Sequence, residues 1–233
     1  MNPIEHTITV LRYLKEKTDS VILFYSAGGK DSLVLLDLCA KNFKHVYCVY
    51  MYFVKNLKHN QVYLSHVNRY NNVTLLQYPH FATSENVSAA DLTFIKEVKK
   101  CTIKLNDIVL KARKDTGAEW VVFGWKKADS LYRNVILRTY LFDSICEKTK
   151  KAYPLALWNK KQVSDYITIK QLPKPLQYGG NNSQGIGLTE DFLVWCRKFH
   201  PGDLDTILKT FPIAGKILFE YDYRQQTTPV TEV

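Results

Sequence analysis

One segment near the N-terminus limits the fold more than any other part of the chain. Residues 21–36 read VILFYSAGGKDSLVLL, in which four β-prone residues lead through a short turn of small residues into an apolar run. This order predicts a strand, a glycine turn and the first turns of a helix. Such a turn gathers backbone N–H groups and the positive end of a helix dipole at one point, which favours a phosphate there. An ordinary βα turn capped by Asp or Ser is the alternative interpretation.

The residues of this turn carry the chemistry that a phosphate site needs. Gly28 and Gly29 permit positive φ angles and a close approach of the backbone to a ligand. Lys30 adds a positive charge, Ser32 a hydroxyl donor, and Asp31 an acceptor for a hydroxyl, an amine or Mg²⁺. The spacing is neither that of a Walker loop, GxxxxGK[ST], nor that of the GxGxxG dinucleotide turn. The turn therefore predicts a phosphate-binding loop of another class.

Length and composition are typical of a packed globular protein. The chain has 233 residues, enough for one sizeable α/β domain, and 46% of them are hydrophobic. An apolar run of about 18 residues is absent, so we expect no membrane span. The early charges in the N-terminal residues MNPIEHTITV argue against a signal peptide. Five cysteines without paired spacing or a Cys/His cluster predict a reducing, cytoplasmic location and no structural zinc or iron–sulfur site.

The charge balance leaves the partner open. The formal net charge is +10 and the pI is about 9.2. A polyanionic partner, either nucleic acid such as tRNA or DNA or a phosphate-rich small molecule, would account for it. A surface decorated with dispersed lysines is the simpler explanation, because no nucleic-acid-binding module follows in the sequence.

The alternation of predicted strands and helices indicates an α/β fold. We expect an open, mainly parallel twisted sheet with helices on both faces, followed by a helical C-terminal extension. Residues 1–170 would form the nucleotide-binding domain, and residues 171–233 a loop and helices packed on the same domain. In such sheets ligands bind beyond the carboxyl ends of the strands, so the loops after strands one, two and four should line one pocket. Strands are predicted at 21–24, 45–52, 73–78, 120–123 and 153–158, helices at 57–70, 91–114, 159–170, 189–200 and 203–210, and a loose tail at 221–233.

A second polar stretch, GWKKADSLYR at residues 124–133, follows the predicted fourth strand. Lys126 and Arg133 are cations that can neutralise phosphate oxygens, and Arg offers a bidentate fork. Ser130 is suited to cap the next helix, with Asp129 beside it. Helix capping and a solvated basic face explain the stretch equally well from the residues alone.

Several motifs in order resemble one known family. The string SAGGKDS at residues 26–32 resembles the SGGKDS signature of PP-loop ATP pyrophosphatases, and among them the phosphoadenosine phosphosulfate (PAPS) reductase-like family. Residues 101–104 resemble its C-T-x-x-K element and residues 124–133 its G-x-R-x-x-[DE]-S-x-x-R element. Residues 154–158 and 172–178 resemble its P-[IL]-x-x-W and L-P-x-x-P-L-Y segments. The resemblance extends over about residues 21–187 and implies the adenine nucleotide alpha hydrolase-like fold.

The resemblance also implies a site that binds ATP or PAPS together with Mg²⁺. Lys30, Asp31 and Ser32 would be catalytic, and Asp31 would hold the metal. Cys101 and Lys104 are further candidates, although a lone cysteine is more often a buried apolar residue. The nucleotide-binding residues would be Ser26, Ala27, Gly28, Gly29, Lys30, Asp31, Ser32, Gly124, Lys126, Asp129, Ser130 and Arg133.

The sequence departs from the family pattern at positions that matter for chemistry. Ala27 stands where the family has Ser, so either Ser26 supplies the hydroxyl from a longer turn or one phosphate contact is missing. Lys126 replaces the family's Arg, which keeps the charge and loses the bidentate geometry. Leu188 occupies the cysteine position of the S-I-G-C loop, and the last residues, QQTTPVTEV, lack the E-C-G-x-H cysteine. Cys196 lies in an apolar helical pattern that is typical of a core residue.

Three functions follow as expectations. The first is an enzyme that cleaves ATP between the α- and β-phosphates and adenylates an acceptor, in sulfur transfer or in nucleic-acid modification. The second is a PAPS reductase-type enzyme that uses the thiol of a partner. The third is a nucleotide-sensing or partner-binding module that has lost the chemistry. The sequence leaves a protein acceptor and homo-oligomerisation open.

Overall fold

The fold is organised around one buried strand, β1 (Ser20–Tyr25), whose residues 21–25 are all buried. The computed structural model describes residues 2–81, 103–178, 181–182 and 187–227. Its other main-sheet strands are β2 (His45–Tyr52), β3 (Val73–Pro79), β4 (Val121–Val122), β5 (Ile145–Cys146) and β6 (Lys151–Ala152). In the described residues they form one six-stranded sheet of order β3-β2-β1-β4-β6-β5. The pairings are parallel except for that of β5 with β6, which is antiparallel.

The helices follow the strands in the order expected for right-handed crossovers. Within the described ranges, no helix is long and apolar enough to cross a membrane. A small antiparallel pair, β7 (Gln177–Tyr178) with β8 (Asn181–Asn182), precedes the last three helices. The helices are α1 (Pro3–Lys17), α2 (Lys30–Asn42), α3 (Lys58–Val67), α4 (Leu105–Thr116), α5 (Leu131–Arg138), α6 (Lys160–Ile169), α7 (Glu190–Phe199), α8 (Pro201–Thr210) and α9 (Ala214–Thr227).

Alternate residues of β1 face two hydrophobic cores. Val21, Leu23 and Tyr25 belong to the core that includes residues of α1, α2, α3 and α6. Ile22 and Phe24 belong to the second core, with residues of α4 and α5. This follows from the period of two along a strand, which sends successive side chains to opposite faces of the sheet. Helices therefore cover both faces, and the predicted fold class is confirmed.

The C-terminal helices share the first core. Phe192 and Cys196 of α7, Ile207 of α8 and Phe211 after α8 are buried in it. Asp203 of α8 accepts hydrogen bonds from the backbone N–H groups at the start of α3. The division at residue 170 stays a prediction, because this packing does not test where a domain boundary falls.

Two predicted elements are wrong in detail. The last strand was expected at residues 153–158, but the strand is β6, and residues 153–158 form turns in which Ala156 N donates to Tyr153 O and Trp158 N to Leu155 O. Pro154 lacks an N–H group and cannot take part in a parallel ladder at that point, which favours the turn. The tail expected at 221–233 is helical as far as Thr227, where α9 ends, because the residues before 221 already form the helix that continues into it.

Two helices were not predicted at all. The helix α1 begins after Asn2, whose side chain accepts from Ile4 N, with Pro3 in the first turn. The helix α9 begins at Ala214, beyond the last helix expected from the sequence. The predicted helix at 91–114 is observed from Leu105 onward as α4, and its residues 91–102 lie outside the described part of the chain.

Candidate functional site

The glycine loop (residues 26–29) joins β1 to α2 and is closed by short hydrogen bonds. Gly29 N donates to Ser26 O at 2.9 Å, and Ser26 N donates to Ser32 Oγ at 3.0 Å. Gly28 has a φ of +74°, in the left-handed region that glycine adopts readily. A Cβ at Gly28 would lie 2.6 Å from Cβ of Leu176, so a side chain has no room there. Both the backbone angle and the contact with Leu176 therefore require glycine.

The first turn of α2 presents unused hydrogen-bond donors. Gly29 is the N-cap residue and makes no side-chain cap. Leu33 N is the first amide of the helix to find a backbone acceptor, Gly29 O at 3.0 Å. Among the described residues no acceptor engages the N–H groups of Lys30, Asp31 or Ser32. Free amides at the positive end of a helix dipole favour an anion, so the geometry is compatible with the phosphate site, which stays a prediction.

The structure shows the environment of Ala27, which stands where the family has serine. Ala27 is 2% exposed and belongs to the hydrophobic core, so its side chain points away from the crevice. Ser26 is half-buried, and its Oγ lies 3.3 Å from the position of a Cβ at Gly29. This arrangement favours the first alternative, in which Ser26 brings a hydroxyl to the loop.

The segment at residues 172–178, far from the glycine loop in the sequence, contacts it in the structure. Leu176 N donates to Gly28 O at 2.9 Å, which adds a backbone bond to the side-chain contact. Tyr63 of α3 donates from its hydroxyl to Lys174 O at 2.9 Å, and its ring lies beside Gly28. The segment 172–178 was noticed in the sequence only through the family motif. Tyr63 was missed, because a tyrosine in an ordinary helical pattern carries no signal of this contact.

The glycine loop lies at the point where the strand order reverses. From β1 the chain crosses to β2 and β3 on one side, and it later returns to β4 on the other. Ligands bind at such a switch point in open α/β sheets. The β4 loop (residues 123–130) faces the glycine loop there, since a Cβ at Gly124 would lie 3.2 Å from Cβ of Asp31. The structure thus brings together the two polar stretches that the sequence singled out.

Ion pairs join the two loops. Lys126 Nζ lies 2.6 Å from Asp31 Oδ2 and 3.0 Å from Asp129 Oδ1. Arg133 Nη1 lies 2.6 Å from Asp129 Oδ2. Burial opposes ionisation of Asp129, but the bond from Lys126 N and the two cations outweigh it, so the pKa of this carboxyl is lowered. The four charged groups form one chain, which we call the Asp31–Arg133 network (Asp31, Lys126, Asp129 and Arg133).

The end of the β4 loop is built as predicted. Ser130 is the N-cap of α5, and its Oγ accepts from Arg133 N at 3.2 Å. The guanidinium of Arg133 stacks over Trp125, with its central carbon 4.9 Å from the ring centroid. The stacking and the Asp129 contact hold Arg133 in place, and 36% of its side chain stays exposed to solvent.

Asp31 has a carboxylate oxygen that is suited to bind Mg²⁺. Its Oδ1 is buried and has no hydrogen-bond partner among the described residues, so one acceptor is unused in this state. Mg²⁺ is usually held by one or two carboxylates together with phosphate oxygens and water. No group of three or more metal-ligating side chains occurs in the described ranges. Asp31 would therefore share the ion with nucleotide phosphates, and its role as a ligand stays a prediction.

The remaining candidates lie elsewhere. Cys101 falls outside the described residues, and Lys104 is the N-cap residue of α4. Leu188 is packed against the first core. Cys196 is buried, and burial raises the pKa of its thiol to about 12, as expected for a core residue. Burial also raises the pKa of the Cys39 thiol to about 12 and that of Cys48.

Solved structures with a similar fold are distant from this chain. An NMN synthetase from Francisella tularensis is 17% identical, with a TM-score of 0.45 over 75% of this chain and 73% of its own. A tRNA thiolase from Methanococcus maripaludis is 12% identical, with a TM-score of 0.47 over 96% and 80%. An NH3-dependent NAD synthetase from Campylobacter jejuni is 14% identical, with a TM-score of 0.45 over the full length of both chains.

Family membership comes from the sequence itself. A search of curated proteins finds no match. The model of the phosphoadenosine phosphosulfate reductase domain family matches residues 21–183, which is more than half of the chain. This span contains the glycine loop, the β4 loop and the segment that supports Gly28. The chain belongs to the phosphoadenosine phosphosulfate reductase domain family.

Proposed function

We propose that this protein binds ATP at the glycine loop and cleaves it between the α- and β-phosphates to adenylate an acceptor. The observation that carries the proposal is the set of unused amides at the start of α2, beside Gly28 and at the switch point of the sheet. Membership of a family of PP-loop nucleotide enzymes supports an enzyme that uses an adenine nucleotide.

The proposed reaction is a substitution at the α-phosphorus. An acceptor oxygen forms a bond to this phosphorus while the bond to the bridging oxygen breaks, and pyrophosphate leaves with the electron pair. The amides of Lys30, Asp31 and Ser32 and the Lys30 ammonium would stabilise the charge that grows on the leaving pyrophosphate. Bound Mg²⁺ would neutralise part of the phosphate charge, held by Asp31. Ser26 would donate its hydroxyl to a phosphate oxygen.

Release of pyrophosphate tests the proposal. We expect the purified protein with ATP and Mg²⁺ to release pyrophosphate and to transfer AMP onto the acceptor when total tRNA, single-stranded DNA or a cell protein fraction is added. Lys30→Ala and Asp31→Ala should abolish release, because they remove the loop cation and the metal ligand. Lys161→Ala is a matched control, since among the described residues Lys161 pairs only with Asp165, on the outside of α6. ATP binding without release of pyrophosphate in any of the three mixtures would contradict the proposal.

A PAPS reductase-type reaction is the second candidate, and the description of the matching family favours it. Cys39, Cys48 and Cys196 are buried, so among these thiols none is placed to attack a ligand in the crevice. This candidate uses the thiol of a partner, as expected from the sequence. Tight binding of PAPS and adenosine 3′,5′-bisphosphate, weak binding of ATP and thiol-dependent release of sulfite would favour this candidate over the first.

A non-catalytic nucleotide sensor is the third candidate, since Ala27, Lys126 and Leu188 depart from the family pattern. This candidate predicts ATP binding with no chemistry in any acceptor mixture. The pyrophosphate assay and a thermal-shift comparison of ATP, PAPS and adenosine 3′,5′-bisphosphate together separate the three.

A further inference from the structure

The ammonium group of Lys126 is enclosed by protein. The side chain is 2% exposed, although lysine is among the residues that proteins bury least. Its Nζ contacts Asp31 Oδ2 and Asp129 Oδ1, which use two of its three N–H donors. The third donor belongs to a side chain that is almost fully buried, so this ammonium is poorly accessible to a phosphate. The resemblance to the G-x-R-x-x-[DE]-S-x-x-R element implies a nucleotide contact for Lys126, but in the structure its partners are Asp31 and Asp129.

We propose that Lys126 is a positioning residue that holds Asp31 and Asp129 in place, and that Lys30 and Arg133 meet the phosphate charge instead. The inference rests on the proposed nucleotide site and deepens it by dividing the roles of its cations. Lys126 joins the first turn of α2 to the β4 loop, so it determines where the Asp31 carboxylate stands relative to the glycine loop.

The surroundings of the two carboxylates support this division. Asp129 also accepts from Lys126 N at 3.0 Å, so its orientation is set at the backbone. Asp31 is confined by Gly124, where even a Cβ would lie 3.2 Å from its own Cβ. Removing one partner of a buried ion pair leaves an uncompensated charge, which is strongly unfavourable. Lys126 is therefore held by both carboxylates at once and is not free to follow a ligand.

The other two cations are placed differently. Lys30 is the first residue of α2, half-buried, and makes no ion pair with the described residues. The Arg133 side chain is 36% exposed and has a single contact with Asp129, through Nη1, which leaves other guanidinium donors available. Lys30 lies at the start of α2 and Arg133 in the first turn of α5, and both can approach phosphate oxygens without breaking a buried ion pair.

The ratio of ATP affinity to adenosine affinity isolates the phosphate contribution and requires no turnover. Because Lys126→Met alone would leave two carboxylates facing each other, we pair it with Asp129→Asn, which keeps the net charge unchanged. The double variant should show a ratio within about threefold of the unmodified protein, whereas Arg133→Met should lower it about tenfold or more. Lys127→Met is a matched control, because Lys127 is the next residue and pairs with Asp143 instead.

A fall of about tenfold or more in the ratio of the double variant would overturn the inference, because it would show that Lys126 contacts phosphate. An unchanged ratio in Arg133→Met would overturn the assignment of the phosphate charge to that residue. This binding measurement decides the roles even if no pyrophosphate is released, in which case the proposed function fails separately.

The rate of pyrophosphate release provides the second readout. At saturating ATP the double variant should lose about tenfold or more in kcat with little change in KM, because Asp31 has lost its partner. Lys126→Arg, which keeps the charge between the two carboxylates, should recover most of that loss. If Lys126 only stabilised the fold, kcat per folded molecule would stay unchanged. An unchanged kcat in the folded double variant would therefore also overturn the inference.

Discussion

Asp203 of α8 holds the first turn of α3 through His59. Its Oδ2 accepts from His59 Nδ1 at 2.8 Å and from His59 N at 2.9 Å, and its Oδ1 accepts from Lys58 N at 2.8 Å. The residue before α3, Leu57, has no side chain that can cap a helix. A carboxylate from another helix therefore performs the capping that a local Ser or Asp usually provides. The helix that it caps carries Tyr63, which contacts the glycine loop.

We expect Asp203→Ala to lower the free energy of unfolding by about 2–4 kcal/mol, because it leaves buried donors unpaired and removes a helix cap. Urea unfolding followed by circular dichroism measures this. Asp205→Ala is the matched control, since Asp205 is exposed two residues further along the same helix. A loss below about 0.5 kcal/mol, as for an ordinary surface substitution, would show that Asp203 does not stabilise the start of α3.

Stability should fall as the pH is lowered through 6.5. Burial lowers the pKa of His6, His59 and His66 below the ordinary value of 6.5, and for His59 this outweighs the opposing effect of Asp203. The unfolded chain therefore binds more protons near and below pH 6.5, so the stabilisation is fully present above that pH and is lost below it. Each histidine adds a slope of up to about 1.4 kcal/mol per pH unit.

Urea midpoints at several pH values between 5 and 8 measure this slope. His66→Gln should reduce it, because neither ring nitrogen of His66 has a hydrogen-bond partner among the described residues. His45→Gln is the control, since His45 is an exposed residue of β2. Equal slopes in the unmodified protein and in His66→Gln would be inconsistent with a neutral buried ring.

Gly28→Ala should lower ATP affinity by about tenfold or more and should also destabilise the protein. The new methyl group meets Leu176 at 2.6 Å, and the backbone must keep a φ of +74° or rearrange. Gly117→Ala isolates the backbone effect, since Gly117 has a φ of +72° and nothing within 4 Å of a Cβ. We expect Gly117→Ala to lower the free energy of unfolding by about 1 kcal/mol and to bind ATP with the affinity of the unmodified protein. Similar ATP affinities in both variants would mean that the contact with Leu176 does not shape the site.

Cys39, Cys48 and Cys196 should resist alkylation in the native state. They are buried, and raised thiol pKa values leave little thiolate at pH 8. Iodoacetamide followed by peptide mass spectrometry should find these positions modified in urea and unmodified in buffer. Cys196→Ala should release pyrophosphate at the unmodified rate. Rapid labelling of Cys196 in the folded protein would show that its thiol contacts solvent, and a redox role for it would then have to be considered.

The sequence predicted the parts of this fold that depend on local order. Residues 21–36 run from an apolar stretch through small residues into a second apolar stretch, an order that predicts a strand, a tight turn and a helix, and β1, Gly28 and α2 lie there. Ser130 was predicted as a cap because capping depends on neighbours in the chain. The site was partly predictable for the same reason, since both loops follow strands that are parallel in the sheet.

The features that were missed depend on distant partners. Nothing near Tyr63 or Leu176 in the sequence indicates that they meet Gly28, and nothing near Asp203 indicates that it caps α3. The ion pairs of Lys126 could not be anticipated either, because a lysine beside a glycine is equally consistent with a bound phosphate. Residues 153–158 were assigned to a strand on their apolar character, which cannot separate a buried turn from a buried strand.

The bond from Leu176 to Gly28 makes the glycine loop a composite of two distant parts of the chain. The loop residues are among the first to be synthesised, but the donor to the Gly28 carbonyl, Leu176 N, and the side chain packed against Gly28 come from a segment that follows the whole sheet. Contacts between residues so far apart form late, since the entropy of closing a long loop must first be overcome. Nucleotide affinity should therefore appear only when the C-terminal third has docked, so ATP binding reports completion of the fold.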